Sequence, residues 1–174
     1  MTKPEFSRIL DVRHCDGRPH NLEANEAERA ALAKRFDLVR IDRLEAQISL
    51  MAEGQTIEAR GKIKADLVQR CAISADDLPA RVDEAFKLRF VPATRNYGPD
   101  EEVELTAEDC DEIEYTGTTF DLGEAVSQSL ALAIDPFATG PGAEAARELF
   151  KTSEASPFAG LAKLKSGDDK RKKD

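Results

Sequence analysis

Leu44-Glu45-Ala46-Gln47-Ile48-Ser49-Leu50 and, after Ala52-Glu53-Gly54-Gln55, Ile57-Glu58-Ala59-Arg60-Gly61-Lys62-Ile63-Lys64-Ala65-Asp66-Leu67 alternate apolar and polar residues. Successive side chains of a β-strand point to opposite faces, so an apolar period of two marks a strand with one dry side. Leu44, Ala46, Ile48 and Leu50 then share a face with Ile57, Ala59, Gly61, Ile63, Ala65 and Leu67. The other face carries Glu45, Gln47 and Ser49 with Glu58, Arg60, Lys62, Lys64 and Asp66. Two such runs joined by a short Gly-containing connection predict an antiparallel hairpin with one wet face. A third strand follows Pro79, with Val82, Glu84, Phe86, Leu88 and Phe90 on one side and Lys87 and Arg89 on the other. Glu84 interrupts the inward set and is expected at the sheet margin, where its charge stays hydrated.

Working outward, residues 5–12 read as a first strand with Phe6 and Leu10 inward, and Asp16-Gly17-Arg18-Pro19 as a turn. Asn25 with Glu28 three residues on predicts a capping box opening a helix from Glu26 to Arg35, with a small face of Ala27, Ala30, Ala31, Lys34 and the neighbouring Leu32. Ile113-Glu114-Tyr115 is a short strand. Asp121 and Glu124 have capping-box spacing and open a second helix, lined by Leu122, Val126, Ser129, Leu130 and Ala133 and stopped by Pro136. The expected architecture is a single α+β domain over residues 1–138: an antiparallel sheet, open or partly closed into a barrel, packed with two main helices. Residues 139–174 are expected to form a flexible C-terminal arm. It holds a Thr139-Gly140-Pro141-Gly142 linker, a short helix over 143–151, the apolar-basic segment Ser156–Lys165 and a charged tail.

A chain of 174 residues can bury one real core. Its charged fraction of 34% predicts solvated ends around that core. No run of 18 apolar residues would span a bilayer, and the N-terminus lacks the apolar stretch of a signal peptide, so the expected location is the cytoplasm. The net charge of −9 is concentrated: residues 100–114 hold nine acidic residues and no basic one. Setting them aside leaves 25 acidic against 25 basic residues, so a local basic surface is compatible with a sequence pI near 4.9. The stretch Pro92–Asp111, which holds most of the acidic run, reads as a mobile, solvated loop.

The residues that carry chemistry are sparse. The chain has no GxSxG, no phosphate-binding glycine loop with a Lys-Ser/Thr pair and no HExxH. Cys15, Cys71 and Cys110 with His14 and His20 cannot supply four close zinc ligands, so no metal and no cofactor is expected. Cys71, ending an alternating run, reads as a small buried thiol. The wet sheet face is different. Arg60, Lys62, Lys64, Lys87 and Arg89, with Arg70 near the strand end, would project together and could follow a phosphate backbone. The same pattern also describes an ordinary solvated face, and no tryptophan is present to stack on bases. A second candidate surface is Phe158, Leu161, Leu164 and Lys165, whose helical spacing suits docking either to a partner or back onto this domain.

Three segments in order, Gly61-Lys62-Ile63-Lys64-Ala65-Asp66-Leu67-Val68-Gln69-Arg70-Cys71, Asp83-Glu84-Ala85-Phe86-Lys87-Leu88-Arg89-Phe90 and Asp121-Leu122-Gly123-Glu124-Ala125-Val126, resemble the large ribosomal RNA subunit accumulation protein family (YceD-like) in its alphaproteobacterial form. Leu32-Ala33-Lys34-Arg35-Phe36, Asp135-Pro136-Phe137 and the Pro157-Phe158…Leu164-Lys165 ending extend the likeness. Many members of that family carry a second cysteine shortly after the position of Cys71. Here Ala72-Ile73-Ser74 follows, and no cysteine occurs after Cys110, so a metal-binding role is not carried over. The resemblance implies a non-enzymatic ribosome-biogenesis factor that supports accumulation or processing of large-subunit ribosomal RNA. Its implied partner is that RNA or a ribosomal or processing protein, with no membrane and no small-molecule substrate. Read from residues alone, two other classes stay open: a small hydrolase or metal-dependent enzyme, and an interaction adaptor unrelated to RNA.

Overall fold

The computed structural model describes residues 4–93 and 111–152, with side chains to residue 149. In chain order the elements are β1 (Ile9–Asp11), a 3-10 turn (Val12–His14), β2 (Asp16–Glu23), α1 (Glu26–Arg35), β3 (Arg40–Glu53), β4 (Thr56–Arg70), β5 (Asp77–Pro92), β6 (Glu112–Tyr115), β7 (Thr119–Asp121), α2 (Leu122–Ala133) and α3 (Ala143–Thr152). The fold class is α+β, as the alternation and capping signals predict. A five-stranded sheet in the order β2-β3-β4-β5-β6 is joined by a two-stranded ribbon, β1-β7. The larger sheet is open, with β2 and β6 at its edges, and does not close into a barrel.

The hairpin follows the alternation residue by residue. Leu44 lies opposite Ala65, Ala46 opposite Ile63, and Leu50 opposite Ala59. Leu44, Ile48, Leu50, Ile57, Ala59 and Ile63 are each at most 1% exposed. On β5, Val82, Leu88 and Phe90 are buried, while Glu84 is exposed on the helix-covered side opposite Ile63. Gly61 stands in this layer because its neighbours occupy the space: a Cβ there would lie 2.7 Å from the Gln47 carbonyl oxygen and 2.8 Å from the Phe86 ring.

Three features depart from the expectation. Asp16–Pro19 is not a free turn but the start of β2, where a bulge between Asp16 and Pro19 and a positive φ at Gly17 carry the strand along β3. The sheet is not wholly antiparallel, since β6 runs parallel to β5, pairing Arg89 with Glu112 through Pro92 with Tyr115. The buried face of α1 is Leu32 and Ala33, whereas Ala27 and Ala30 face solvent. Ion pairs from Glu28 and Arg35 hold α1 in that orientation.

The N-terminal residues clamp both helices to the sheet. Asn25 and Glu28 form the reciprocal capping box, and Glu28 also receives both Arg8 amino groups at 2.7 and 3.0 Å. Arg35 reaches Glu5 at 2.9 Å and Glu124 at 2.7 Å, tying α1 to α2. Glu124 therefore serves that tie rather than a reciprocal box. Asp121 caps α2 alone, accepting the Gly123 and Glu124 amides at 3.0 and 3.2 Å and the Arg8 amide at 2.8 Å. This brings the first turn of α2 against the strand entering β1. A Cβ on Gly123 would fall 2.5 Å from the Phe6 carbonyl oxygen and 2.9 Å from the Arg8 nitrogen. Backbone cannot yield as a side-chain tip can, so Gly123→Ala should cost about 1–3 kcal/mol despite its better helix propensity. Urea unfolding of the variant should show a lowered midpoint; an unchanged or raised midpoint would mean that α2 does not sit this close.

Candidate functional site

The register gives the wet face a definite charge map. Between β4 and β5, Arg60 lies opposite Lys87, Glu58 opposite Arg89, Lys64 opposite Asp83, and Asp66 opposite Arg81. On the β3 side, Glu45 lies opposite Lys64, Gln47 opposite Lys62, and Ser49 opposite Arg60. Arg60, Lys62, Lys64, Lys87 and Arg89 therefore gather on one face, as two neighbouring antiparallel strands require. Arg70 sits at the far end of β4, opposite Asp77.

Carboxylates interleave these cations. Lys62 pairs with Asp83 at 2.6 Å, Lys87 with Glu58 at 3.2 Å, Arg81 with Asp66 at 2.8 Å and Arg89 with Glu112 at 2.8 Å. Arg60 chelates the same Glu58. Its guanidinium, and then Lys87, hold the Glu58 carboxyl below the usual range, and Lys62 does the same for Asp83. Lys64 and Arg70 make no ion pair among the described residues. The face is thus a lattice of alternating charge, not a uniform basic field. Beside it, Asn21, Glu23, Glu45, Gln47, Lys62 and Lys64 line a shallow depression of ≈ 530 Å³. The alternation on β4 already exposes Glu58 and Asp66. Arg81 and Asp83 follow by the same rule from an inward Val82, but which charge meets which needs the β4–β5 register.

A second feature lies on the opposite side of the sheet. Between α2 and the β5–β6 end, Ile63, Phe86, Leu88, Ile113, Leu132 and Ala133 line a groove of ≈ 600 Å³. Phe158, Leu161, Leu164 and Lys165, the second sequence candidate, lie outside the described residues.

The third feature is the turn that ends β4. Cys71 is 3% exposed, the small buried thiol expected at a strand end. The stretch expected as a linker lies against it: Ala72 donates to the Ala138 carbonyl at 3.0 Å, and the Gly140 amide donates to Cys71 Sγ at 3.3 Å. The Ser74 amide adds a second donor at 3.5 Å. Gly140 first and Ser74 next favour the thiolate and pull the thiol down to about 6, against burial, which pushes it up. No histidine, lysine or arginine among the described residues enters these causes, which are hydrogen-bond donors to the sulfur opposed by burial.

The described residues thus form an α+β scaffold with an ion-paired sheet face and an apolar groove. The chain belongs to the large ribosomal RNA subunit accumulation protein (YceD) family, whose family model matches residues 59–165. No curated protein and no solved structure matches the chain. The match begins within β4 and takes in the cationic faces of β4 and β5, the groove and the Cys71 turn. No helix among the described residues is long and apolar enough to cross a membrane.

The Cys71 geometry fixes a pH dependence. An acid whose folded pKa lies below its unfolded value of about 8.5 adds stability that is fully present above the unfolded value. That stability is lost as pH falls through the folded value of about 6. Wild-type stability should therefore rise from pH 6 to 8.5, and Cys71→Ala should remove that rise. Urea midpoints of both proteins at the two pH values test this; an equal rise in Cys71→Ala would assign it to other groups.

Proposed function

We propose that this chain acts in large-subunit ribosomal RNA accumulation without catalysis, as a binding factor whose β4–β5 face contacts the RNA backbone. The observation that carries the reading is the register that sets Arg60 beside Lys87 and stacks Lys62 and Lys64 in the same column. Lys64 and Arg70 stand outside any ion pair among the described residues and are ready to meet phosphates. Lys62 is held by exposed Asp83, and an exposed pair contributes only about 0–1 kcal/mol, whereas Arg60, Lys87 and Arg89 are held by half-buried Glu58 and Glu112. A phosphate oxygen can therefore replace Asp83 on Lys62 at little cost. Until it does, the carboxylates hold the long side chains in place and damp nonspecific attraction. Family membership supports the ribosomal RNA setting. The lack of aromatic residues on this face supports backbone contact rather than base stacking.

The test is quantitative in both directions. Replacing Lys62, Lys64 and Lys87 by Glu should leave the fold intact, abolish binding of the purified protein to 23S-type ribosomal RNA fragments and lower large-subunit RNA levels in cells. The Glu58→Gln/Asp83→Asn variant should bind more tightly, by roughly fivefold per carboxylate if each costs about 1 kcal/mol of repulsion in water. Wild-type affinity should fall with salt at a log–log slope of about −0.7 to −0.9 per phosphate contacted. Equal RNA binding by the Lys62/Lys64/Lys87 variant and wild type would sink the proposal and leave this face a solvated surface.

A further inference from the structure

We propose, building on the phosphate contact assigned to β4 under the proposed function, that the shallow depression across β2, β3 and β4 holds an unpaired adenine or cytosine. Asn21, Glu23 and Gln47 read the edge of that base, and Lys62 and Lys64 hold the adjoining phosphates. Two rows of side chains cross the three strands. Asn21 lies opposite Gln47, and Gln47 opposite Lys62. Two residues along, Glu23 lies opposite Glu45, and Glu45 opposite Lys64. All six side chains line one depression of ≈ 530 Å³. Its β4 end is cationic, while its β2 end is amide and carboxylate. Neighbouring strands lie about 4.8 Å apart, so the columns on β4 and β2 are separated by about 10 Å. That is the reach of a nucleotide from its phosphate to the far edge of its base.

The polar groups at the β2 end are exposed and poised for a ligand. Gln47 Nε2 donates to Asn21 Oδ1 at 3.2 Å, which sets the two carboxamides edge to edge. Gln47 Oε1 and the Asn21 amino group are left without a partner among the described residues. Arg43 holds Glu45 at 2.6 and 2.5 Å, whereas the Glu23 carboxylate is in no ion pair among the described residues. An acceptor beside a donor complements adenine, with its N6 amine next to N1, and cytosine, with its N4 amine next to N3. Asn and Gln carboxamides pair with adenine in this manner, and Glu accepts from cytosine N4. Uracil presents a carbonyl oxygen where the amine would be, so it would face Gln47 Oε1 and Glu23 with neither side donating. Guanine presents a ring N–H beside its amine, which meets the Asn21 donor. Edge reading needs no aromatic ring, in accord with a face that has none. Lys62 and Lys64 fall within the family match, while Asn21, Glu23 and Gln47 stand before residue 59, where it begins. The base-reading half is therefore assigned from its geometry and chemistry alone.

Binding of short oligo(C), oligo(A) and oligo(U) of equal length to the full chain, followed by fluorescence anisotropy, tests this. Cytosine and uracil differ only at the edge in question, so their affinity ratio isolates the readout from stacking and charge. Wild type should bind oligo(C) and oligo(A) about tenfold or more tightly than oligo(U). Asn21→Ala/Gln47→Ala, at exposed positions, should bring oligo(C) down to the oligo(U) level. Oligo(U) affinity and the salt slope should stay as in wild type, because the lysines are untouched. Glu23→Lys replaces an acceptor by a donor and should lower the oligo(C) to oligo(U) ratio about fivefold or more, whatever the added charge does to overall affinity. A wild-type ratio near one would overturn the proposal and leave the phosphate contact standing, as would a ratio that both variants retain. Binding of none of the three oligonucleotides would overturn the phosphate contact and the base site together.

Discussion

The placement of β4 between β3 and β5 is the constraint on which the rest of this molecule depends. Its 15 residues pair on both sides, from Arg40–Val68 to Glu53–Thr56 with β3 and from Ile57–Phe90 to Arg70–Asp77 with β5. A slip of one residue would turn Ile57, Ile63 and Leu67 to water and drive Arg60, Lys62 and Lys64 into the core. Burying three charged groups costs far more than any register could recover, so the alternation admits one solution. The same choice fixes both candidate surfaces, because the wet face and the groove floor are the two sides of one strand pair.

The helices are positioned by a separate set of contacts, and these account for the shape of the groove. Asp121 gathers four donors from Ser7, Arg8, Gly123 and Glu124, while Arg8 and Arg35 bind carboxylates from α1, from α2 and from Glu5 in the N-terminal stretch. Most of these groups are partly shielded from water, so their pairing is screened less than that of the sheet-face ions. The clamp works on the first turn of α2. From there the helix runs over Ile63 and Leu88, and its last turn, with Leu132 and Ala133, stands beside Phe86 without further cover among the described residues. Held firmly at one end, the helix leaves an apolar wedge at the other.

How much of this was legible in the sequence follows from which forces act locally. The β3–β4 hairpin, α1 with its Asn25–Glu28 box and the Asp121 cap depend on alternation or on residues three apart, and each stands where the sequence placed it. β2 was hidden because an edge strand needs little apolar alternation, and its Gly17-Arg18-Pro19 entry carries turn chemistry that a bulge absorbs. The parallel course of β6 has no local signature at all, since direction is set by the path of the preceding chain. For the site, alternation alone put the cations of β4 and β5 on one face. Their ion pairs are tertiary facts: Lys62 meets Asp83 diagonally, two residues along β5 from its direct neighbour Ala85. The contact of Gly140 with Cys71 spans 69 positions, and no spacing rule joins two such residues.

The charge lattice also limits how such a face could choose a ligand. At ~0.1 M salt the screening length is about 10 Å, longer than the 2.6–3.2 Å separations within the Lys62–Asp83 and Lys87–Glu58 pairs. From a distance these pairs cancel, so the sheet offers little long-range steering to a polyanion, in keeping with a pI near 4.9. At contact the cancellation fails, because a phosphate seated against Lys64 or between Arg60 and Lys87 feels individual groups, not their sum. On the proposed reading, a face built this way would reject generic polyanions held at a distance and accept one whose phosphates match the strand spacing. Discrimination then lies in geometry, which the β4–β5 register holds rigid, and the same two strands that exclude water from the core set the pitch at which a partner must present its charges.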